Sequence, residues 1–236
     1  MVLDCFLKII ISGESAGGNI ATVISRKLKD HEFKPLAQVL LYPVLQTLNL
    51  QLPSFQRYGK RGPVLKLYDM VHFSTYYLLG HIDKEVVSAM MTNSHIPPEV
   101  KRKLAATHFN TSRLPEEFFH PDYKTQSMDQ GSEEIWNKMK HLWTNPDYSP
   151  FFAEDLTNMP QAFVFISYHD ILRDEGFLYV KKLQDCGVPV TYVVEKSAYH
   201  GLAMSIKSLK DGHKMRNAYI NYIQGIIGSP SSRLAL

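Results

Sequence analysis

Three side chains in this sequence have the types and the chain order for acyl transfer: a serine, an aspartate and a histidine. The serine is Ser15, in Gly13-Glu14-Ser15-Ala16-Gly17, preceded by Ile9-Ile10-Ile11 and followed by a helical stretch. A Gly-x-Ser-x-Gly turn between a strand and a helix places a serine on a sharp, strained bend with its hydroxyl accessible. Small residues at Gly13 and Gly17 let the backbone pack closely there. The helix start behind it offers backbone N–H groups and a positive dipole end to developing negative charge. Ser15 is therefore the candidate nucleophile.

The candidate acid, Asp170, follows the apolar run Ala162-Phe163-Val164-Phe165-Ile166-Ser167. The candidate base, His200, follows the β-branched segment Val188 to Val194 and precedes Gly201. Both then fall on loops at the carboxyl edge of a parallel sheet, the edge where Ser15 also lies. There a histidine takes the serine proton and returns it to the leaving group, while an aspartate fixes the imidazole tautomer and stabilises the imidazolium. Asp174 and Glu175 are rivals for the acid. They lie a helical turn further on, where helix capping or an ion pair with Arg173 fits their position better.

The elements needed to hold these groups can be traced in order. Asn19 to Lys29 carries Ile20, Val23, Ile24 and Leu28 at helical spacing, which predicts a helix with that face buried. Leu36 to Tyr42, stopped by Pro43, reads as a strand buried on both faces, completing a βαβ unit expected to be right-handed. Between Leu48 and Pro160 repeated prolines and a high aromatic content break this alternation. Helices are expected at 67–79, 86–91 and 135–143, with 54–147 as an insertion capping the sheet. Alternation resumes with a strand at 161–168, a helix at 176–185 closed by Cys186-Gly187, a strand at 188–194 and a helix at 213–226. The division expected is 1–53 and 148–228 as the two parts of a core, 54–147 as a helical cap and 229–236 as a tail. Some aromatic and methionine side chains of the cap would line an apolar pocket over Ser15.

Composition narrows the partners. With 44% hydrophobic and 21% charged residues in 236, the chain has the balance of a globular protein. Basic residues exceed acidic ones by three (26 − 23) and the charges are scattered, which argues against a nucleic-acid partner. No run approaches the roughly twenty apolar residues of a membrane span, and Met1 to Ile11 is interrupted by Asp4 and Lys8. Cys5 and Cys186 carry no disulfide signature and read as two unpaired apolar residues. Asn110-Thr111-Ser112 is a glycosylation acceptor pattern, relevant only in the secretory pathway.

Taken together, Gly13-Glu14-Ser15-Ala16-Gly17-Gly18-Asn19, Leu41-Tyr42-Pro43, Leu52-Pro53-Ser54-Phe55, Asp170-Ile171-Leu172-Arg173-Asp174 and His200-Gly201 resemble the hormone-sensitive-lipase-like α/β-hydrolases, specifically their arylacetamide deacetylase branch. The order Ser, Asp, His is that of α/β-hydrolases, unlike the two protease orders. The resemblance runs from about Ile9 to Ile226 and implies the carboxyl-terminal part of an α/β-hydrolase fold with a helical cap. It also implies serine esterase or amidase chemistry on small lipophilic acyl esters or amides, with no metal or organic cofactor. Ala16, the residue after the nucleophile, would supply one oxyanion-hole N–H. Members of that branch are held to the endoplasmic reticulum membrane, facing the lumen. Such enzymes draw further oxyanion donors from a His-Gly-Gly-Gly loop that does not occur in these 236 residues. The alternative is therefore a truncated, non-catalytic relative that acts in binding or interaction. About four parallel strands are expected, with the Ser15 strand at a sheet edge through which the chain could self-associate.

Overall fold

The computed structural model describes residues 8–228, so Cys5 and the tail read at 229–236 lie outside the described residues. Four strands, β1 (Ile10–Glu14), β2 (Ala37–Leu41), β3 (Gln161–His169) and β4 (Val190–Tyr199), form one parallel sheet in the order β1-β2-β3-β4. The register runs from Ile10 opposite Ala37 and Ala37 opposite Gln161 to Ala162 opposite Val190. Because every pair is parallel, every carboxyl end emerges on one edge.

Helices cover both faces. Helix α1 (Ala16–Lys27) links β1 to β2, α7 (Arg173–Asp185) links β3 to β4, and α8 (Lys210–Gly228) closes the described chain. Five more lie between β2 and β3: α2 (Pro53–Tyr58), α3 (Leu67–Leu79), α4 (Lys84–Met91), α5 (Pro98–Thr107) and α6 (Glu133–Trp143). Successive strand residues point to opposite faces. Leu40, Val164 and Ile166 accordingly join a large core with Ala21 of α1, Leu178 and Leu183 of α7 and the helices between β2 and β3. Val39, Leu41, Phe163 and Phe165 face the other way, against Met215, Tyr219, Tyr222 and Ile223 of α8.

Several details differ from the sequence reading. Helix α1 starts directly after Ser15 instead of at Asn19, and of its predicted apolar stripe only Val23 is fully buried. Ile20 and Ile24 are exposed, while Gly18, Ala21, Thr22, Ser25 and Val23 are buried. The seam against the sheet admits only small groups, since a Cβ on Gly18 would lie 2.8 Å from the Pro43 Cβ. Helices α2 and α5 open on Pro53 and Pro98, prolines read from the sequence as breaks. Proline suits a first helical turn, where its missing N–H would have had no partner. Strand β4 continues past Val194 to Tyr199, so His200 stands at the strand's own end. Among the described residues β1 pairs with β2 alone and is an edge strand.

The two glycines of the elbow are not equivalent. A Cβ on Gly13 would lie 2.1 Å from the Gly17 carbonyl oxygen, whereas one on Gly17 meets nothing within 4 Å. Close packing therefore needs glycine at 13 and at 18, not at 17 as the motif alone implies. Gly13→Ala is expected to destabilise the fold by on the order of 1–3 kcal/mol. Gly17→Ala is expected to be neutral or to stabilise α1 by up to about 1 kcal/mol. Urea denaturation of the two variants checks this, and indistinguishable midpoints would refute the assignment.

Candidate active site

Ser15 occupies the bend between β1 and α1 with φ 51° and ψ −119°, a left-handed-side conformation that L-residues rarely adopt. Such a position costs of order 1–3 kcal/mol and persists only where surroundings over-determine it. Here they do. The Ser15 N–H donates to the Leu41 carbonyl at 3.0 Å, and its own carbonyl accepts from Val44 N–H at 3.1 Å and Asn19 N–H at 3.2 Å.

The structure brings the three sequence-predicted residues together in one line. Ser15 Oγ lies 2.9 Å from His200 Nε2, and His200 Nδ1 lies 2.9 Å from Asp170 Oδ2. The other Asp170 oxygen accepts from Leu172 N–H at 2.9 Å, so both carboxylate oxygens are engaged. Asp170 is 1% exposed and His200 8%. With the Nδ1 proton donated to the carboxylate, Nε2 is left as an acceptor for the serine hydroxyl, the arrangement needed to take a proton from a nucleophile. Ala16 is the first residue of α1, where an N–H has no intrahelical partner.

A cavity of about 470 Å³ opens above this line, bounded by Ser15, Ala16 and His200 at its base. Its walls are largely apolar and come mostly from α3 and the segment before it, among them Leu65, Met70, Phe73, Tyr77 and Leu78, with Ile20, Val44 and Tyr148 from elsewhere. Met70, Phe73 and Tyr77 are aromatic or methionine side chains of the stretch between β2 and β3. Asn19, part of the elbow motif but given no role from sequence, ties the site together. Its Nδ2 donates to the carbonyls of Val44 and Tyr148, both at 2.9 Å. Among the described residues no group of His, Cys, Asp or Glu is placed to hold a metal, and no helix is long and apolar enough to cross a membrane.

A parallel sheet, a serine on a strained strand-to-helix turn, and an aspartate and a histidine at the ends of the third and fourth strands define the architecture of an α/β-hydrolase. The family model described as alpha/beta hydrolase fold matches residues 5–99 and 97–204, and the chain belongs to that family. It is 34% identical over 219 residues to arylacetamide deacetylase of Mus musculus, covering 90% of this chain and 53% of that protein. It is 30% identical over 222 residues to neutral cholesterol ester hydrolase 1 of Bos taurus, covering 90% and 53%. Its fold is shared with an esterase from Pyrobaculum calidifontis, with a TM-score of 0.54 at 24% identity over 93% of this chain and 52% of that one. The chain thus spans about half the length of the curated relatives it matches.

The rival acids do other work. Asp174 accepts from Arg173 Nε at 2.7 Å and from Ser54 N–H at 2.6 Å, and the Arg173 guanidinium lies 4.1 Å from the Phe118 ring centroid. Glu175 accepts from Leu45 N–H at 2.7 Å and Gln46 Nε2 at 2.8 Å. Both carboxyls are fully buried, and burial pushes both upward, Glu175 to about 8. In the unfolded chain a glutamate titrates near 4.3, so between there and about pH 8 the folded state holds an extra proton. The stability this contributes is complete below the unfolded value and is lost as pH rises through the folded one. Glu175→Gln carries the neutral form at every pH. It is expected to lose less thermal stability than the wild type between about pH 5 and about pH 9. Parallel declines in melting temperature for the two proteins would contradict this.

Proposed function

We propose that the chain carries the catalytic residues of a serine carboxylic ester hydrolase acting on small lipophilic acyl esters or amides, with Ser15 as nucleophile, His200 as general base and acid, and Asp170 orienting His200. The observation that carries this reading is the Ser15–His200–Asp170 hydrogen-bonded line opening onto an apolar cavity. The named activities of the relatives, a deacetylase and an ester hydrolase, support it.

In the first half-reaction the Ser15 hydroxyl proton passes to His200 Nε2 as Oγ bonds to the acyl carbon. The carbonyl oxygen becomes an oxyanion beside the Ala16 N–H. Collapse expels the alcohol or amine, which takes the proton from His200, and leaves an acyl-serine. Water then repeats the sequence, its proton going to Nε2 and its oxygen to the acyl carbon, and releases the acid. The cavity walls from α3 hold the apolar part of the substrate. Residues 54–147 are read as a cap on a core formed by 1–53 and 148–228. An endoplasmic reticulum lumenal setting is proposed by analogy with the family, and the exposed Asn110 is compatible with it. Self-association through the β1 edge is also proposed, and sedimentation of a compact monomer would exclude it.

The second reading is a non-catalytic relative of this family that acts in binding or interaction. Fluorophosphonate labelling of the purified chain, mapped by peptide mass, decides between the two. Adduct on Ser15, absent in Ser15→Ala and slowed by up to about ten-thousandfold in Asp170→Asn, is the expected result. A folded chain that takes no label would leave the binding role standing.

A further inference from the structure

The base reaches the nucleophile from the far side of the sheet. Ser15 follows β1 and His200 follows β4, three interstrand spacings apart, roughly 14 Å. The approach to that 2.9 Å contact is made within β4, whose register against β3 shifts before His200: Glu195 lies opposite Ser167 and Tyr199 opposite His169, so four steps of β4 oppose two of β3. Gly201, at φ 80°, then turns the chain after His200 into the short helix Leu202–Ser205. The carboxyl end of β2, midway along this path, carries Tyr42.

Tyr42 is 2% exposed and sits at φ 37°, itself a strained position for a bulky residue. Its ring centroid is 5.0 Å from that of His200. Its hydroxyl accepts from Ala203 N–H at 3.0 Å and donates to the carboxylate of Glu14, the residue before the nucleophile. One phenol thus touches the base, holds the loop that carries it, and is held by the strand that carries the serine. Burial keeps that phenol protonated well above neutral pH, so its single proton is always available to Glu14.

We propose that Tyr42 and Glu14 form a brace that sets the distance between Ser15 and His200, Tyr42 as the positioning residue and Glu14 as the group that fixes its hydroxyl. The inference rests on the serine-hydrolase reading of the site and adds two residues that touch no reacting atom. The ring alone packs the loop; the hydroxyl, bound at both ends, gives the loop its register against the elbow. Removing the hydroxyl leaves packing intact and loosens the base.

The test measures fluorophosphonate labelling as a maximal rate and a half-saturation concentration in the wild type, Tyr42→Phe, Glu14→Gln, Glu14→Ala and Tyr42→Phe/Glu14→Ala, alongside melting curves. Expected for Tyr42→Phe and Glu14→Ala is a maximal rate lower by between about tenfold and about a hundredfold, with half-saturation and melting unchanged. The double variant should lose no more than either single one, because both break the same link. Glu14→Gln, whose amide oxygen still accepts the phenol proton, should recover most of the rate. An unchanged rate in Tyr42→Phe overturns the brace, as does a loss that tracks the melting temperature or half-saturation and is not rescued by Glu14→Gln. If the wild type takes no label, the proposed function fails by itself and the brace is read by NMR. A sharp low-field Nδ1 proton on His200 that broadens in Tyr42→Phe supports it, and an unaltered signal refutes it.

Discussion

The strained backbone at Ser15 is the constraint from which the rest of the site follows. Its conformation is held by the main chain alone: its amide is bound to the end of β2 and its carbonyl to Val44 and Asn19. Those bonds exist only because the chain after β2 runs alongside the elbow. That closeness in turn requires glycine at 13, facing the Gly17 carbonyl, and at 18, facing Pro43. The elbow and the Tyr42-Pro43-Val44 turn are thus one unit made of two strand ends. Within it, hydrogen bonds offset a conformation that would otherwise relax, and the hydroxyl needs no side-chain partner other than His200 to be aimed.

The turn after β2 shows how an irregular segment is kept inside a protein. Residues 45–50 are buried yet belong to no strand or helix, so their backbone groups need partners from elsewhere. Gln46 supplies two of them, its Oε1 accepting from Leu48 N–H at 2.7 Å and Asn49 N–H at 2.8 Å. Glu175 supplies a third at Leu45 and anchors Gln46 itself. Burial raises the Glu175 pKa because this service is given in the dry interior. It connects the first turn of α7, which begins just after Asp170, to the wall of the cavity.

Much of this was legible in the sequence. Ser15, Asp170 and His200, which the structure brings into one hydrogen-bonded line, could be picked out because each lies after a strand-like run, and a parallel sheet delivers such positions to one edge whatever the loops do. The Asp174–Arg173 pairing was also readable, being local. Three things were not. The inward face of α1 was misassigned because periodicity reports where apolar residues recur, not which face meets a sheet, and here a close seam selected Gly18, Ala21 and Ser25 over Ile20 and Ile24. Helices α2 and α5 were hidden because proline signals either a break or a beginning. The partners of Asn19, Tyr42 and Glu175 lie up to 161 residues away along the chain, at distances no local pattern encodes.

The division of labour around the cavity bears on how such a protein diversifies. Its base, formed by Ser15, Ala16 and His200, is built from strand ends, whereas most of its wall comes from α3 and the turn before it, inside a single uninterrupted span of chain between β2 and β3. Substitutions or whole-segment exchanges in that span can remodel the volume and shape offered to a ligand without disturbing the register of the sheet. Changes to the shape of the cavity and changes at its base therefore fall largely on separate stretches of the chain, and one contiguous stretch can vary while the strand ends stay as they are.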